Sequence, residues 1–111
     1  MSINKVILLG HIGDIPKTTH FDNGQISKVR LATNSTYTNQ QNEKVTETEW
    51  HTLVFRGKYS VAAEKYFTKG MKISVEGSLR TREYELNNEK KYITEVLVSS
   101  FTFEDSAPNA S

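Results

Sequence analysis

Alternation of apolar and polar residues over residues 50–58, which read Trp-His-Thr-Leu-Val-Phe-Arg-Gly-Lys, constrains the fold of this chain more than any other feature. Successive side chains of a β-strand point to opposite faces of the sheet. Leu53 and Phe55 therefore share one face, and we predict that they fill a core. Trp50 and Arg56 share the other face, where a large apolar ring is costly unless something covers it.

The outward pair of Trp50 and Arg56 offers a specific binding chemistry. A flat ring beside a guanidinium suits the face of an unpaired nucleic-acid base and the phosphate next to it. The alternative is that Trp50, the only tryptophan of the chain, covers a core edge or fills a subunit interface. The other segments of the chain decide between these two interpretations.

Length and composition narrow the class of protein. A chain of 111 residues is one domain by size, and it contains no cysteine, which excludes disulfides and thiolate metal sites. The net charge of +1 means that any electrostatic argument depends on where the charges lie. The longest apolar run near the start, residues 6–9, is too short for a signal peptide or a membrane span, so we expect an intracellular protein without a membrane partner.

Five segments have the composition of strands, and a short sixth one, residues 17–21, is either an edge strand or a continuation of the first. The five strands are predicted over residues 3–9, 26–33, 48–57, 71–84 and 91–103. An Asn-Gly pair at positions 23 and 24 predicts a tight hairpin turn. The polar stretch 34–46 is interpreted as a long mobile hairpin loop.

One convincing helix is predicted over residues 60–69, with Ser60 as its N-cap and Gly70 ending it. Gly77 interrupts the fourth strand and indicates a bend or bulge. Short strands with such a bend favour closure into a small barrel. We therefore predict an all-β fold: a five-stranded OB-fold barrel over residues 1–103 with one short helix between strands three and four, and a short polar tail over residues 104–111.

Aromatic and basic residues in two hairpins extend the binding chemistry. Tyr37 follows the second strand, and Tyr84 continues an outward row formed by Arg80 and Arg82. Hairpin loops flank the binding face of an OB-fold, so we predict that these side chains bind nucleic acid together with Trp50 and Arg56. The alternative for the arginine row is a solvated charged hairpin.

Catalytic patterns are weak in this sequence. Its histidines, His11, His20 and His51, lack the spacing of a zinc site, and there is no nucleophile elbow and no phosphate-binding glycine loop. His51 shares the inward face of its strand, which favours a buried, hydrogen-bonded histidine at a core edge or subunit contact. We expect no enzymatic activity, no metal and no cofactor.

The ordered set of segments resembles the bacterial single-stranded DNA-binding protein family over residues 1–103. The resemblance lies in residues 4–10 (Asn-Lys-Val-Ile-Leu-Leu-Gly), 31–33, 48–51, 57–58, 69–70, 75–82 (Val-Glu-Gly-Ser-Leu-Arg-Thr-Arg) and 94–96. It implies an OB-fold subunit that assembles as a homotetramer and wraps single-stranded DNA without sequence preference or catalysis. It also implies a role in replication, recombination and repair, in the cytoplasm and associated with the nucleoid.

The resemblance also assigns roles to residues. Trp50 matches a base-stacking tryptophan, Tyr37 and Tyr84 stand where the family often has two more, and Arg56 occupies the position of a stacking phenylalanine. His51 matches a histidine associated with subunit contact. The positions that resemble contacts to the DNA backbone are Lys5, Lys58, Lys69, Arg80 and Arg82.

Partner recruitment and two other functions stay open. The family usually has a long flexible tail with an acidic tip that recruits replication and repair proteins, whereas this sequence stops at Ser111 without such a tip. A second hypothesis is an OB-fold replication accessory that binds a protein partner more than bulk DNA. An enzyme comes third, because it requires a metal or nucleophile constellation that the sequence lacks.

Overall fold

Residues 1–104 are described by a computed structural model, and they form six strands and one helix. Residues 105–111, most of the predicted polar tail, lie outside the described part. The elements are β1 (Val6–Ile12), β2 (Lys17–Phe21), β3 (Gly24–Thr38), β4 (Lys44–Arg56), α1 (Lys58–Tyr66), β5 (Lys72–Leu86) and β6 (Glu89–Phe103).

Five of the strands close into a barrel in the order β1-β5-β6-β4-β3, and pairs such as Ile12 with Leu31 join β1 back to β3. The pairings are antiparallel except between β4 and β6, where Leu53 lies beside Val96 in parallel. The helix connects the third and fourth strands of this barrel. The predicted OB-fold is therefore confirmed.

The short strand β2 is a separate element. It pairs with β3 from Lys17 opposite Lys28 to Phe21 opposite Gly24. The predicted hairpin is therefore present, but its turn is formed by residues 22 and 23, one position before the Asn-Gly pair. Because β4 occupies the other edge of β3, β1 and β2 must share one edge of that strand. The segment is thus an additional edge strand that follows β1 along β3.

The core lies inside the barrel and beneath the helix. Leu53 and Phe55 are fully buried, as the alternation of β4 predicted. Phe55 makes edge-to-face contacts with Phe67 and Phe101, whose ring centroids lie 5.2 and 5.7 Å away. Such aromatic pairs add about 0.5–1.5 kcal/mol beyond the area that they bury. Tyr59 of the helix adds an edge-to-face contact with Phe101, with ring centroids 5.7 Å apart, so the aromatic cluster joins both the helix and the residue that follows it to the barrel.

The predicted bounds and cap of the helix were wrong. Helix α1 begins after Gly57 without a side-chain cap, and it ends before Phe67, whose backbone is extended. Ser60 lies inside the first turn, where its Oγ is 2.7 Å from Oγ of Ser27 and fully buried. Tertiary packing therefore determines both ends of the helix. Ser60 is hydrogen-bonded to Ser27 of β3, and the ring of Phe67 packs in the core.

The predicted mobile loop over residues 34–46 was also wrong for most of its length. Strands β3 and β4 continue to Thr38 and from Lys44, so that only residues 39–43 form the turn. Thr48 Oγ1 donates a 2.7 Å hydrogen bond across the ribbon to Asn34. Threonine favours extended backbone, and side-chain pairs across the two strands stabilise the ribbon although its residues are polar.

Gly77 lies at a β-bulge, as its position in the sequence indicated, although the extra residue of the bulge, Ser99, belongs to β6. The register with β6 shifts between Glu76 and Gly77. A Cβ atom at Gly77 would overlap the carbonyl oxygen of Leu97, so the two backbones approach more closely here than a larger residue allows. A bulge of this kind bends the strand and increases its local twist.

Candidate nucleic-acid interface

One continuous face of the sheet, which we call the outer face, concentrates the positive charge of the chain. Directly opposite residues of neighbouring strands point to the same side, and the pairs Arg30 with Thr52 and Arg80 with Glu95 follow this rule. The charged and aromatic residues that we group as the centre of the outer face are Lys28, Arg30, Trp50, Arg56, Arg80, Arg82, Tyr84 and Glu95. In this central set five cations lie beside one carboxylate, and the same rule places further charges such as Lys17, Lys91 and Glu76 around it. The centre of the face is therefore basic, although the whole chain has a net charge of only +1.

Trp50 is half exposed at one end of this face. Its relative exposure is 50%, and the guanidinium carbon of Arg30 lies 4.7 Å from the centroid of its ring. A Cβ atom at Gly13 would overlap the six-membered part of the indole, so the ring packs directly on the glycine backbone. The indole is therefore held in place by a cation and by Gly13 while half of its surface faces solvent.

Glu95 joins three strands in the middle of the outer face. It is 5% exposed and accepts hydrogen bonds from Arg82 Nε at 3.0 Å and Nη2 at 3.4 Å, while Lys28 Nζ lies 3.2 Å away. Burial favours a raised pKa for this carboxyl, but the hydrogen bonds and positive charges of Arg82 and Lys28 together outweigh burial and lower its pKa. The same hydrogen bond raises the pKa of Arg82. Both cations are thus ordered, and each shares its charge with one carboxylate.

Arg56 and Arg80 line a shallow cavity of about 390 Å³ together with Tyr59, Ser78 and Leu97. Arg80 Nε donates a long hydrogen bond of 3.4 Å to Ser78, and Arg56 is exposed beside it. Two accessible guanidinium groups in one concave surface suit a phosphate oxygen, which arginine binds with a planar fork of donors. The fold therefore brings together two arginines that lie far apart in the sequence.

Tyr84 continues the outer face into the β5–β6 hairpin. It is 39% exposed and lies opposite Lys91, with the same alternation as Arg80 and Arg82. Acidic residues flank it, and Lys90 Nζ lies 3.9 Å from Glu83. The positive charge of the face therefore weakens towards the tip of this hairpin.

Tyr37 lies apart from the other predicted stacking residues. It is 46% exposed and pairs with Val45, whereas Trp50 pairs with Ala32. The two aromatic residues thus occupy alternate positions of the β3–β4 ribbon and point to opposite faces of it. The structure brings Trp50 and Tyr84 onto one strand face but leaves Tyr37 on the reverse of the ribbon, on the same side as Glu47.

The three predicted lysines lie around the barrel outside the central set. Lys5 is 3.4 Å from Glu76, and Lys58 lies over the ring of Tyr59 at the start of α1. Lys69 is exposed in the turn after the helix. Of these three, Lys58 has the most direct link to the interface, because Tyr59 lines the cavity that contains Arg56.

His51 is half-buried, and its Nε2 lies 2.9 Å from Thr33 Oγ1. The expected hydrogen bond is thus present, although the ring is half-buried rather than buried, and the role of His51 in subunit contact stays a prediction. Within residues 1–104, no cluster of three or more histidine, aspartate or glutamate side chains has the geometry to hold a metal ion. No helix in that part of the chain has the length and apolar character that a membrane span requires.

Three residues of the interface were not predicted. Lys28 and Arg30 alternate with buried Val29 and Leu31, so the pattern that selected Arg80 and Arg82 also marks them as outward. Glu95 had no comparable signal, because a carboxylate on a basic face is recognised only when its partners are known. Charge alternation in β3 is therefore the sequence signal that was available.

A small OB-fold barrel with a basic sheet face and exposed aromatic rings is the arrangement used by proteins that bind single-stranded nucleic acid. The sequence profile of the Single-strand binding protein family matches residues 3–104, and the chain belongs to this family.

Solved structures agree with this assignment. A Plasmodium falciparum SSB in complex with ssDNA is 32% identical, with a TM-score of 0.82 over 95% of this chain and 97% of that chain. A deletion variant of the single-stranded DNA-binding protein from Thermus aquaticus has a TM-score of 0.81 over 96% of this chain and 52% of that chain. At 22% identity, the second match shows the shared fold.

Proposed function

We propose that this protein binds single-stranded DNA without sequence preference and without catalysis, and that it protects the strand during replication, recombination and repair. The observation that carries the proposal is the outer face, where a half-exposed indole and five cations lie on an OB-fold barrel. Membership of the single-strand binding family supports it.

Two sets of residues would bind the strand, one by stacking on its bases and the other by contacting its phosphates. Trp50 and Tyr84 stack bases, and stacking is sequence-tolerant because every base has a π-face. Tyr37 joins them if the strand passes over the edge of the β3–β4 ribbon to its reverse side. Arg56, which is exposed and shares its cavity with Arg80, holds phosphate rather than replacing a stacking ring. The further phosphate contacts are Arg80, Arg82, Lys5, Lys58 and Lys69.

Homotetramer formation is part of the proposal and draws support from β1. Within residues 1–104, positions 6–10 of this strand pair only with β5, which leaves their other edge without a strand. Ile7 and Leu9 alternate on one side of β1 and are 67% and 52% exposed. A second copy would cover this apolar edge, and His51 would lie at a further contact. Measurement of the mass in solution tests the assembly.

Titration with DNA at several salt concentrations tests the function. Trp50 is the only tryptophan, so its fluorescence reports directly on the outer face. Oligothymidylate should quench it, whereas duplex DNA of equal length should bind far more weakly. If about five phosphates per subunit are neutralised, the log–log slope against salt should be roughly −3.5, from ~0.7 per phosphate on single strands. Trp50 fluorescence that does not change when oligothymidylate is added would count against the proposal.

A further inference from the structure

A second concave surface of the outer face lies beside Trp50 and was not predicted from the sequence. It is a cavity of about 260 Å³, which we call the basic cavity, and it is bounded by the segment after β1, by β2, by β3 and by β4. Its lining residues are Asp14, Ile15, Lys17, Lys28, Arg30 and Thr52. Three cations and one carboxylate line it, so the cavity favours an anion.

Two of these cations repel each other in the free protein. Lys17 lies directly opposite Lys28 in the β2–β3 pair, and like charges in such positions destabilise a sheet. Lys28 is also 3.2 Å from Glu95, whereas Lys17 is exposed and has no ion-pair partner among residues 1–104. An anion bound between the two ammonium groups would relieve this repulsion.

Asp14 opposes an anion less than its charge suggests. One of its carboxylate oxygens accepts a 2.8 Å hydrogen bond from the backbone N–H of Ile15, which fixes that oxygen within the turn. Even when Asp14 and the Glu95 partner of Lys28 are both counted against the three cations, the cavity keeps an excess of positive charge from Lys17 and Arg30.

Arg30 connects the basic cavity to the aromatic part of the interface. The same side chain lines the cavity and places its guanidinium carbon 4.7 Å from the centroid of the Trp50 ring. A strand with one base against Trp50 would thus have a neighbouring phosphodiester within reach of Arg30. A guanidinium that touches an aromatic ring retains donors for a phosphate oxygen.

We propose that the basic cavity is a phosphate subsite of the DNA strand, in which Lys17 and Arg30 hold the phosphodiester next to the base stacked on Trp50. This inference rests on the proposed function, and it extends the path of the strand from β5 and β4 across β3 to β2. Lys17 is the residue on which the subsite is most directly tested, because it is exposed and has no structural partner among residues 1–104.

The test compares Lys17→Gln with the matched control Lys65→Gln, which removes the same charge from α1. Binding of an oligothymidylate of about eight nucleotides, within the range for one OB-fold, is measured by Trp50 fluorescence from low to high salt. Lys17→Gln should lower the affinity at low salt and reduce the magnitude of the salt slope by about 0.7. Lys65→Gln should leave the slope unchanged. Arg30→Gln should also reduce the magnitude of the salt slope by about 0.7. Thermal melting is measured for both variants. If Arg30→Gln fails to fold, Lys17→Gln with an unchanged melting temperature is sufficient for the test.

The outcomes separate this inference from the proposed function. A wild-type protein that binds no oligothymidylate overturns the proposed function and the subsite together. Wild-type binding with an equal slope for Lys17→Gln and wild type overturns the subsite alone. Inorganic phosphate is titrated separately without DNA, and we expect no saturable change in fluorescence. The inference would be overturned if phosphate caused a saturable change in fluorescence, if Lys17→Gln abolished that change, and if the same variant bound DNA as tightly as the wild type. The cavity would then bind free anions rather than the DNA strand.

Discussion

The buried Glu95 carboxylate and the Arg82 guanidinium meet on the outer face through two hydrogen bonds of 3.0 and 3.4 Å. Lys28 approaches the same carboxylate from β3 at 3.2 Å. A negative charge thus lies in the middle of a surface that we propose to bind a polyanion. It orders two cations and at the same time neutralises part of their charge, and the second effect can be measured.

Glu95→Gln should increase affinity for single-stranded DNA at low salt, because it removes the carboxylate that competes with phosphates for Arg82 and Lys28. The salt slope should become steeper by up to about 0.7 for each cation that is released. Titration of oligothymidylate at several salt concentrations checks this, with Glu64→Gln on α1 as the matched control. Weaker binding with a flatter slope would show instead that ordering of the cations matters more than their neutralisation.

Stability should fall in acid through the same residue. The pKa of Glu95 in the folded protein lies below its ordinary value of 4.5, because burial, which raises it, is outweighed by the hydrogen bonds and positive charges of Arg82 and Lys28 together. A lowered pKa contributes stability that is fully present above the unfolded value and is lost as pH falls through the folded value. Urea unfolding should therefore show a smaller loss of stability below about pH 4.5 in Glu95→Gln than in the wild type. Parallel losses in the two proteins would contradict the assignment.

Trp50→Ala should weaken binding of single-stranded DNA by about 1–3 kcal/mol, the range measured for one base stacked on an aromatic ring. Since the substitution removes the only tryptophan, binding is followed by the anisotropy of a labelled oligothymidylate. Trp50→Phe serves as the control, because it keeps a stacking ring and should retain part of the affinity. Equal affinities for wild type and Trp50→Ala would show that the exposed indole does not stack on a base.

Gly13→Ala should displace the indole, because the added Cβ would occupy the space of the Trp50 ring. We expect a shift of the tryptophan emission in the free protein and weaker DNA binding. A double-mutant cycle on binding with Trp50→Ala isolates the contact. In the Trp50→Ala background, Gly13→Ala should have little further effect on DNA affinity. If it lowered the affinity of Trp50→Ala as much as that of the wild type, its effect would not act through the indole.

Ser60→Ala should destabilise the fold by about 1 kcal/mol without changing DNA affinity, because it removes a hydrogen bond between two buried hydroxyls. The partner, Ser27, keeps contacts with Thr18 and with the carbonyl of residue 60, which limits the loss. Urea unfolding of Ser60→Ala, Ser27→Ala and the double variant measures the coupling. Additive losses would indicate that the two hydroxyls do not act as a pair.

Local pattern was a good guide to the faces of strands and a poor guide to their ends. The alternation of β4 correctly assigned Leu53 and Phe55 to the core and Trp50 to solvent. The helix and the β3–β4 ribbon were misplaced, because propensity and polarity do not report tertiary partners. Ser60, predicted as the N-cap, is hydrogen-bonded to Ser27 within the first turn, and Phe67, predicted inside the helix, lies beyond its end in the aromatic core.

The sequence by itself determined which side chains of each strand face outward, the closure of the strands into a small barrel, and the family to which the chain belongs. Only the tertiary structure decided which outward residues meet. Arg30 lies over Trp50, Glu95 joins Lys28 to Arg82, and Tyr37 is separated from Trp50. The physical reason is register: alternation has a period of two within one strand, whereas contacts across strands depend on how β3, β4, β5 and β6 align in the closed barrel.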